Sequence, residues 1–90
     1  MSENSPVPQH LDFGQALNYL KQGEKVARKG WNGKGMWLKL IAPHKGKINL
    51  GIDGIFDGLP WIGMKTADNM FVPWLASQTD MLASDWLMVK

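Results

Sequence analysis

Between Ala27 and Leu38 the chain reads ARKGWNGKGMWL, a stretch dense in groups with binding chemistry. Arg28, Lys29 and Lys34 supply positive charge. Trp31 and Trp37 supply flat apolar faces with an N–H at one edge. Gly30, Gly33 and Gly35 allow backbone to come close to a ligand. Arg28 is the only arginine in the chain, and its planar fork matches phosphate oxygens better than a lysine ammonium does. A loop with these parts suits a flat, anionic molecule. The same residues also describe a hairpin corner whose tryptophans roof a small core.

A second stretch, residues 73–86, reads PWLASQTDMLASDW. Ser77, Gln78, Thr79 and Asp80 crowd polar groups at a helix N-terminus directly after Trp74. Such a terminus presents free N–H groups and a partial positive charge. Asp80 already uses that field, which argues against phosphate here. It suits ribose hydroxyls or an adenine amino group, which a carboxylate accepts hydrogen bonds from. Plain helix capping explains Ser77 and Asp80 equally well.

Catalytic chemistry is poorly represented. A nucleophile or a poised acid–base pair needs an orienting partner, and neither His10 nor His44 sits in such a frame. The acids fall in turns and caps, where turn and capping duty accounts for them. The chain has no cysteine, hence no disulfide framework and no thiolate metal site. The two histidines have no zinc-like spacing with acids. The expectation is a binding protein, not an enzyme, with no metal and no cofactor.

The elements that must position these groups follow from local pattern. Residues 1–10, with two prolines and little apolar content, read as a flexible arm, and residues 11–90 as a single domain. Phe13, Ala16, Leu17 and Leu20 lie at helical spacing, with Asp12 and Gln15 as a capping box and Gly23 as the C-terminal stop. So 13–22 is a short amphipathic helix, and its apolar stripe must lie on a sheet. Strands are expected at 26–29, 36–42, 61–66, 70–74 and 85–89. A tight turn falls at Asp68-Asn69, and a short helix at 77–82. Residues 44–60, with Asp-Gly at 53–54 and 57–58, read as a hairpin or long loop. The fold class is α+β: one N-terminal helix on a small sheet of four to six mostly antiparallel strands, with a short second helix near the C-terminus. So small a sheet leaves edges and apolar faces open, which association into a dimer or tetramer covers.

Charge and composition sharpen the picture. Residues 1–20, 21–47 and 48–90 carry net −2, +7 and −3, within an overall +2. The basic block beside tryptophans draws anions, but the overall balance does not call for a long nucleic acid. Five tryptophans in ninety residues exceed the needs of so small a core. The surplus belongs at a ligand site or a subunit interface, where aromatics are enriched. No signal peptide or membrane-length apolar run is visible, so no membrane partner is expected.

The runs DFGQAL, KVARKGWNGKGMWL and MKTADNMFVPWLASQTDMLASDW closely resemble a family of small bacteriophage proteins that includes the second-described type of Thoeris anti-defence protein. The resemblance extends from about residue 11 to residue 90, with RKGWNGKG and PWLASQTDMLASDW its most specific parts. It implies a sponge in the cytoplasm of the infected bacterial host. Such a protein binds a cyclic ADP-ribose isomer of the glycocyclic type made by a host immune sensor, holds it without cleaving it, and so keeps the Thoeris effector inactive. Some members also take cyclic oligonucleotide signals at separate places. The family assembles as a homotetramer with pockets where subunits meet. Carried onto this chain, the resemblance and the residue chemistry together imply Trp31 and Trp74 sandwiching adenine, with Phe13 and Trp37 completing the wall. Arg28 or Lys29 would meet the diphosphate, and Ser77, Gln78, Thr79 and Asp80 would hold the riboses. The alternatives from other classes are a single-stranded nucleic-acid binder and a structural phage protein whose tryptophans only glue subunits.

Overall fold

A computed structural model describes residues 7–90 of the chain. Helix α1 spans Phe13–Lys21, and both hydrogen bonds of its capping box are formed: Gln15 N–H to Asp12 at 2.7 Å and Asp12 N–H to Gln15 at 2.9 Å. Its far end closes as the glycine pattern requires. Gly23 takes φ +88°, and the Gly23 and Glu24 N–H groups reach back to the Leu20 and Tyr19 carbonyls at 3.0 Å each.

Seven strands follow, more than the four to six expected: β1 Lys25–Arg28, β2 Trp37–Ile41, β3 Lys47–Asn49, β4 Ile55–Asp57, β5 Trp61–Lys65, β6 Phe71–Pro73 and β7 Trp86–Val89. The short helix α2, Gln78–Leu82, lies between β6 and β7. The surplus comes from three-residue strands, too short to show an alternation in sequence. Five strands form one antiparallel sheet in the order β6-β5-β2-β1-β7, and β3 and β4 form a separate hairpin. That hairpin settles residues 44–60. It turns through Leu50–Gly54 with Gly51 and Gly54 at positive φ, not through a two-residue Asp-Gly turn.

Register places side chains of alternate residues on opposite faces. Val26 pairs with both Leu38 and Met88, Leu38 with Met64, and Met64 with Val72, which makes one apolar row across the sheet, with α1 packed over its β1, β2 and β7 members. Leu11, Ala16 and Leu20 from the helix side, Val26 and Leu38 from the sheet, and Trp86 from β7 form the buried centre. The back face carries Lys25, Trp37, Lys39, Trp61, Gly63, Lys65 and Phe71.

Of the arm expected at 1–10, residues 1–6 lie outside the described residues. The Pro8 carbonyl accepts a 2.9 Å hydrogen bond from Met88 N–H, so the chain is already tied to β7 there. No helix among the described residues is long and apolar enough to cross a membrane.

Candidate functional site

Four aromatic rings meet at the end of the sheet where β1 leaves and β7 begins. Trp86, fully buried, is their centre: Trp31 stands edge-on to it at 5.4 Å and 80°, Trp74 at 6.0 Å and 86°, and Phe13 tilts against it at 5.5 Å. Phe13 arrives as the first residue of α1. Trp31 sits in the 3-10 turn Lys29–Lys34 that follows β1. Trp74 follows β6 and is anchored by its N–H to the Ile62 carbonyl at 2.9 Å. The Trp86 indole N–H donates to the Asp80 carbonyl at 2.9 Å, so the polar edge of a buried ring is satisfied.

Beside the rings lies a charged fork. Arg28 donates from Nε to Asp85 Oδ1 at 2.9 Å and from Nη2 to Asp85 Oδ2 at 3.4 Å. Its Nη1 reaches Asp80 Oδ1 at 3.0 Å. These bonds, to Asp85 first and then Asp80, raise the guanidinium pKa further, so it stays charged. Partial burial pushes the Asp80 carboxyl upward. Hydrogen bonds from Arg28 and Ser77 outweigh that and hold it below the ordinary aspartate range. Asp80 also closes the capping box of α2. Its N–H donates to Ser77 Oγ at 3.0 Å, and it accepts from Ser77 N–H at 3.4 Å.

The expected site residues therefore divide. Phe13, Trp31 and Trp74 come together, with Arg28, Ser77 and Asp80 alongside. Trp37 does not join them. It lies on the back of the sheet, 6.3 Å from Phe71, with the Lys25 ammonium 5.0 Å from its ring centre. Strand parity is the reason: Leu38 points into the core, so Trp37 must point away. Trp31 and Trp74 stand 76° apart at 6.4 Å, which leaves no parallel slot for adenine between them within one chain. Both rings are partly exposed. Arg28 is committed to two carboxylates. Lys29 and Lys34, in the same turn, are exposed and have no ion-pair partner among the described residues, so both are open to an anion. Gln78 and Thr79 are exposed on the first turn of α2.

Sequence reasoning missed Trp86 and Asp85. The signal was present: an Asp-Trp pair at the start of an apolar strand, with Trp86 of the parity that faces the helix. Among the described residues no cluster of three or more His, Asp or Glu side chains is placed to hold a metal ion. The arrangement can stack planar groups on two indoles, accept hydrogen bonds at braced carboxylates, and pair an anion with Lys29.

Residues 11–89 match the family model of the Thoeris anti-defense 2-like domain. A curated relative, Thoeris anti-defense 2 of Bacillus phage SP01, is 44% identical over 85 residues, spanning 89% of this chain and 96% of the relative.

Proposed function

The chain belongs to the Thoeris anti-defense 2-like family, and from that premise we propose that it serves phage anti-defence as a sponge. It binds a cyclic ADP-ribose signal of the glycocyclic type in the cytoplasm of the infected host and withholds it, uncleaved, from the Thoeris effector. The observation that supports this reading is the braced aromatic cluster: Trp31 and Trp74 are partly exposed, and both pack against the buried Trp86, with Phe13 against Trp74 and Trp86.

A sponge has to hold a scarce signal at nanomolar affinity, about −12 kcal/mol. Stacking on an aromatic ring contributes roughly 1–3 kcal/mol per base, and each charge-assisted hydrogen bond about 1.5–3 kcal/mol. Such terms reach the required total only when the site is ordered before the ligand arrives. The Arg28 fork and the Trp86–Asp80 hydrogen bond supply that order here. In this reading adenine lies on Trp31 or Trp74, Lys29 meets the diphosphate, and Gln78, Thr79 and a remaining lone pair of Asp80 meet the riboses. With the two rings 76° apart, a neighbouring subunit would supply the other wall of the pocket, in keeping with a homotetramer.

Incubation with a panel of cyclic nucleotides, followed by heat denaturation and mass analysis of what is released, tests this. Stoichiometric recovery of one intact cyclic ADP-ribose isomer is expected. Recovery of a linear product overturns the sponge reading in favour of an enzyme.

A further inference from the structure

We infer that Lys65 is a positioning residue: its ammonium clamps the far end of the turn that carries Lys29, Trp31 and Lys34, and so orders that part of the ligand site before a ligand arrives. The inference deepens the sponge reading and rests on it for the identity of the ligand. Lys65 is the last residue of β5 and pairs with Trp37 in the register of β2. Its Nζ donates to the Gly35 carbonyl at 2.9 Å and to the Thr66 carbonyl at 3.4 Å. Gly35 is the first residue past the Lys29–Lys34 turn and takes φ +69°. One side chain therefore joins the end of β5 to the end of a turn 30 residues earlier in the chain.

The turn has need of such a clamp. Runs of 3-10 helix beyond three or four residues are uncommon, because their hydrogen-bond geometry is poor, and this run is six residues long. Gly30 and Gly33 lie within it and Gly35 follows it, and glycine loses more freedom on ordering than any other residue. The start of the turn is fixed by Lys29 N–H, which donates to the Asp85 carbonyl at 3.0 Å. Its close is a stretched bond, Met36 N–H to the Trp31 carbonyl at 3.4 Å. Lys65 reinforces that close with a shorter bond from a charged donor, the stronger kind. A Cβ at Gly35 would stand 3.7 Å from Lys65 Nζ, so the ammonium is seated against the backbone of the turn.

Lys65 has no ion-pair partner among the described residues. Its charge is spent on backbone carbonyls, two of them, and a lysine that caps the end of a helical turn in this way satisfies an acceptor the turn itself leaves open. The consequence for binding is entropic. A turn already held at both ends has less freedom to lose when a base stacks on Trp31, and affinity rises by what is not lost. Lys65 acts through the turn and does not itself touch the ligand.

The test compares the full wild-type chain with Lys65→Met, which keeps the length of the side chain and removes the donor, and Lys65→Arg, which keeps a charged donor. Hydrogen exchange read by mass spectrometry on the ligand-free proteins reports on the turn. In Lys65→Met the amides of residues 30–36 are expected to exchange about 3- to 10-fold faster, the effect of losing one exposed charged hydrogen bond. The amides of β2 and β5 and the melting temperature are expected to stay as in wild type, and Lys65→Arg to recover most of the protection. Calorimetric titration with glycocyclic ADP-ribose is expected to give a Kd about 3- to 10-fold weaker for Lys65→Met and near wild type for Lys65→Arg. Unchanged exchange at 30–36, a loss of protection shared equally by β2 and β5, no recovery in Lys65→Arg, or faster exchange with an unchanged Kd each overturns the proposal. A wild type that takes no nucleotide defeats the sponge reading by itself, and the exchange comparison still decides whether Lys65 holds the turn.

Discussion

Arg28 Nη1 stands 3.0 Å from Asp80 Oδ1, and this one contact fastens strand β1 to helix α2 across the mouth of the aromatic cluster. Both side chains are mostly covered, at 22% and 16% exposure, so solvent screens the pair only in part. The contact positions the site: it holds the α2 turn whose Asp80 carbonyl receives the Trp86 indole N–H.

Arg28→Ala leaves Asp80 and Asp85 without their cation. A loss of about 1–2 kcal/mol is expected, between the values for exposed ion pairs and for covered charge-assisted hydrogen bonds. Arg28→Lys recovers only part of this, because a point charge cannot span two carboxylates as the fork does. Urea melts of the three proteins measure both differences.

The same pair sets a pH dependence. The folded Asp80 pKa lies below its unfolded value of about 3.9, so its contribution is complete above that value and disappears as pH falls through the folded pKa. The stability difference between wild type and Asp80→Asn is therefore expected to be constant from neutral pH down to about pH 5 and to shrink below about pH 4. Comparing the two proteins cancels the titration of the other carboxylates.

The aromatic cluster holds one buried ring and two partly exposed ones, and substitutions separate their roles. Trp86→Ala removes the buried centre and is expected to cost about 3–5 kcal/mol, a large share of the stability of so small a domain. Trp31→Ala takes away a partly exposed ring. It is expected to keep the fold and the oligomer while losing one stacking face, about 1–3 kcal/mol or roughly 5- to 150-fold in Kd. Calorimetric titration and sedimentation of the same sample distinguish lost binding from lost assembly.

A fourth expectation concerns the back of the sheet. A Cβ at Gly63 would overlap the ring of Phe71, which is half-exposed and free to swing outward. Gly63→Ala is therefore expected to cost only about 1 kcal/mol or less, since the ring moves and the strand backbone stays. The readout is tryptophan fluorescence from Trp61 and Trp37, which loses its contact with Phe71.

Local rules carried much of this architecture. The Asp12/Gln15 and Ser77/Asp80 boxes and the Gly23 stop are sequence-adjacent devices, so their spacing alone reveals them. The gathering of Phe13, Trp31 and Trp74 is a long-range event. The two tryptophan-bearing runs pointed to it by composition. The ring that gathers them, Trp86, reads as an ordinary strand residue until β7 is seen beside β1. Trp37, near Trp31 in sequence, lies on the other face of the sheet because the parity of β2, which Leu38 fixes, turns it away from the cluster. The pairing of Arg28 with Asp80 and Asp85 was hidden for a related reason: nothing local joins residues so far apart.

The sheet order has a temporal consequence. β1 has β7 as one of its two neighbours, and β7 brings the ring on which the core closes. During synthesis the first helix and the first strand leave the ribosome long before their last partner exists. A nascent chain ending ahead of residue 86 lacks the ring that gathers the aromatic cluster, so the cluster assembles in a single late step. Arrest-peptide force measurements on stalled chains of increasing length are expected to show one folding transition, after Trp86–Val89 clears the exit tunnel.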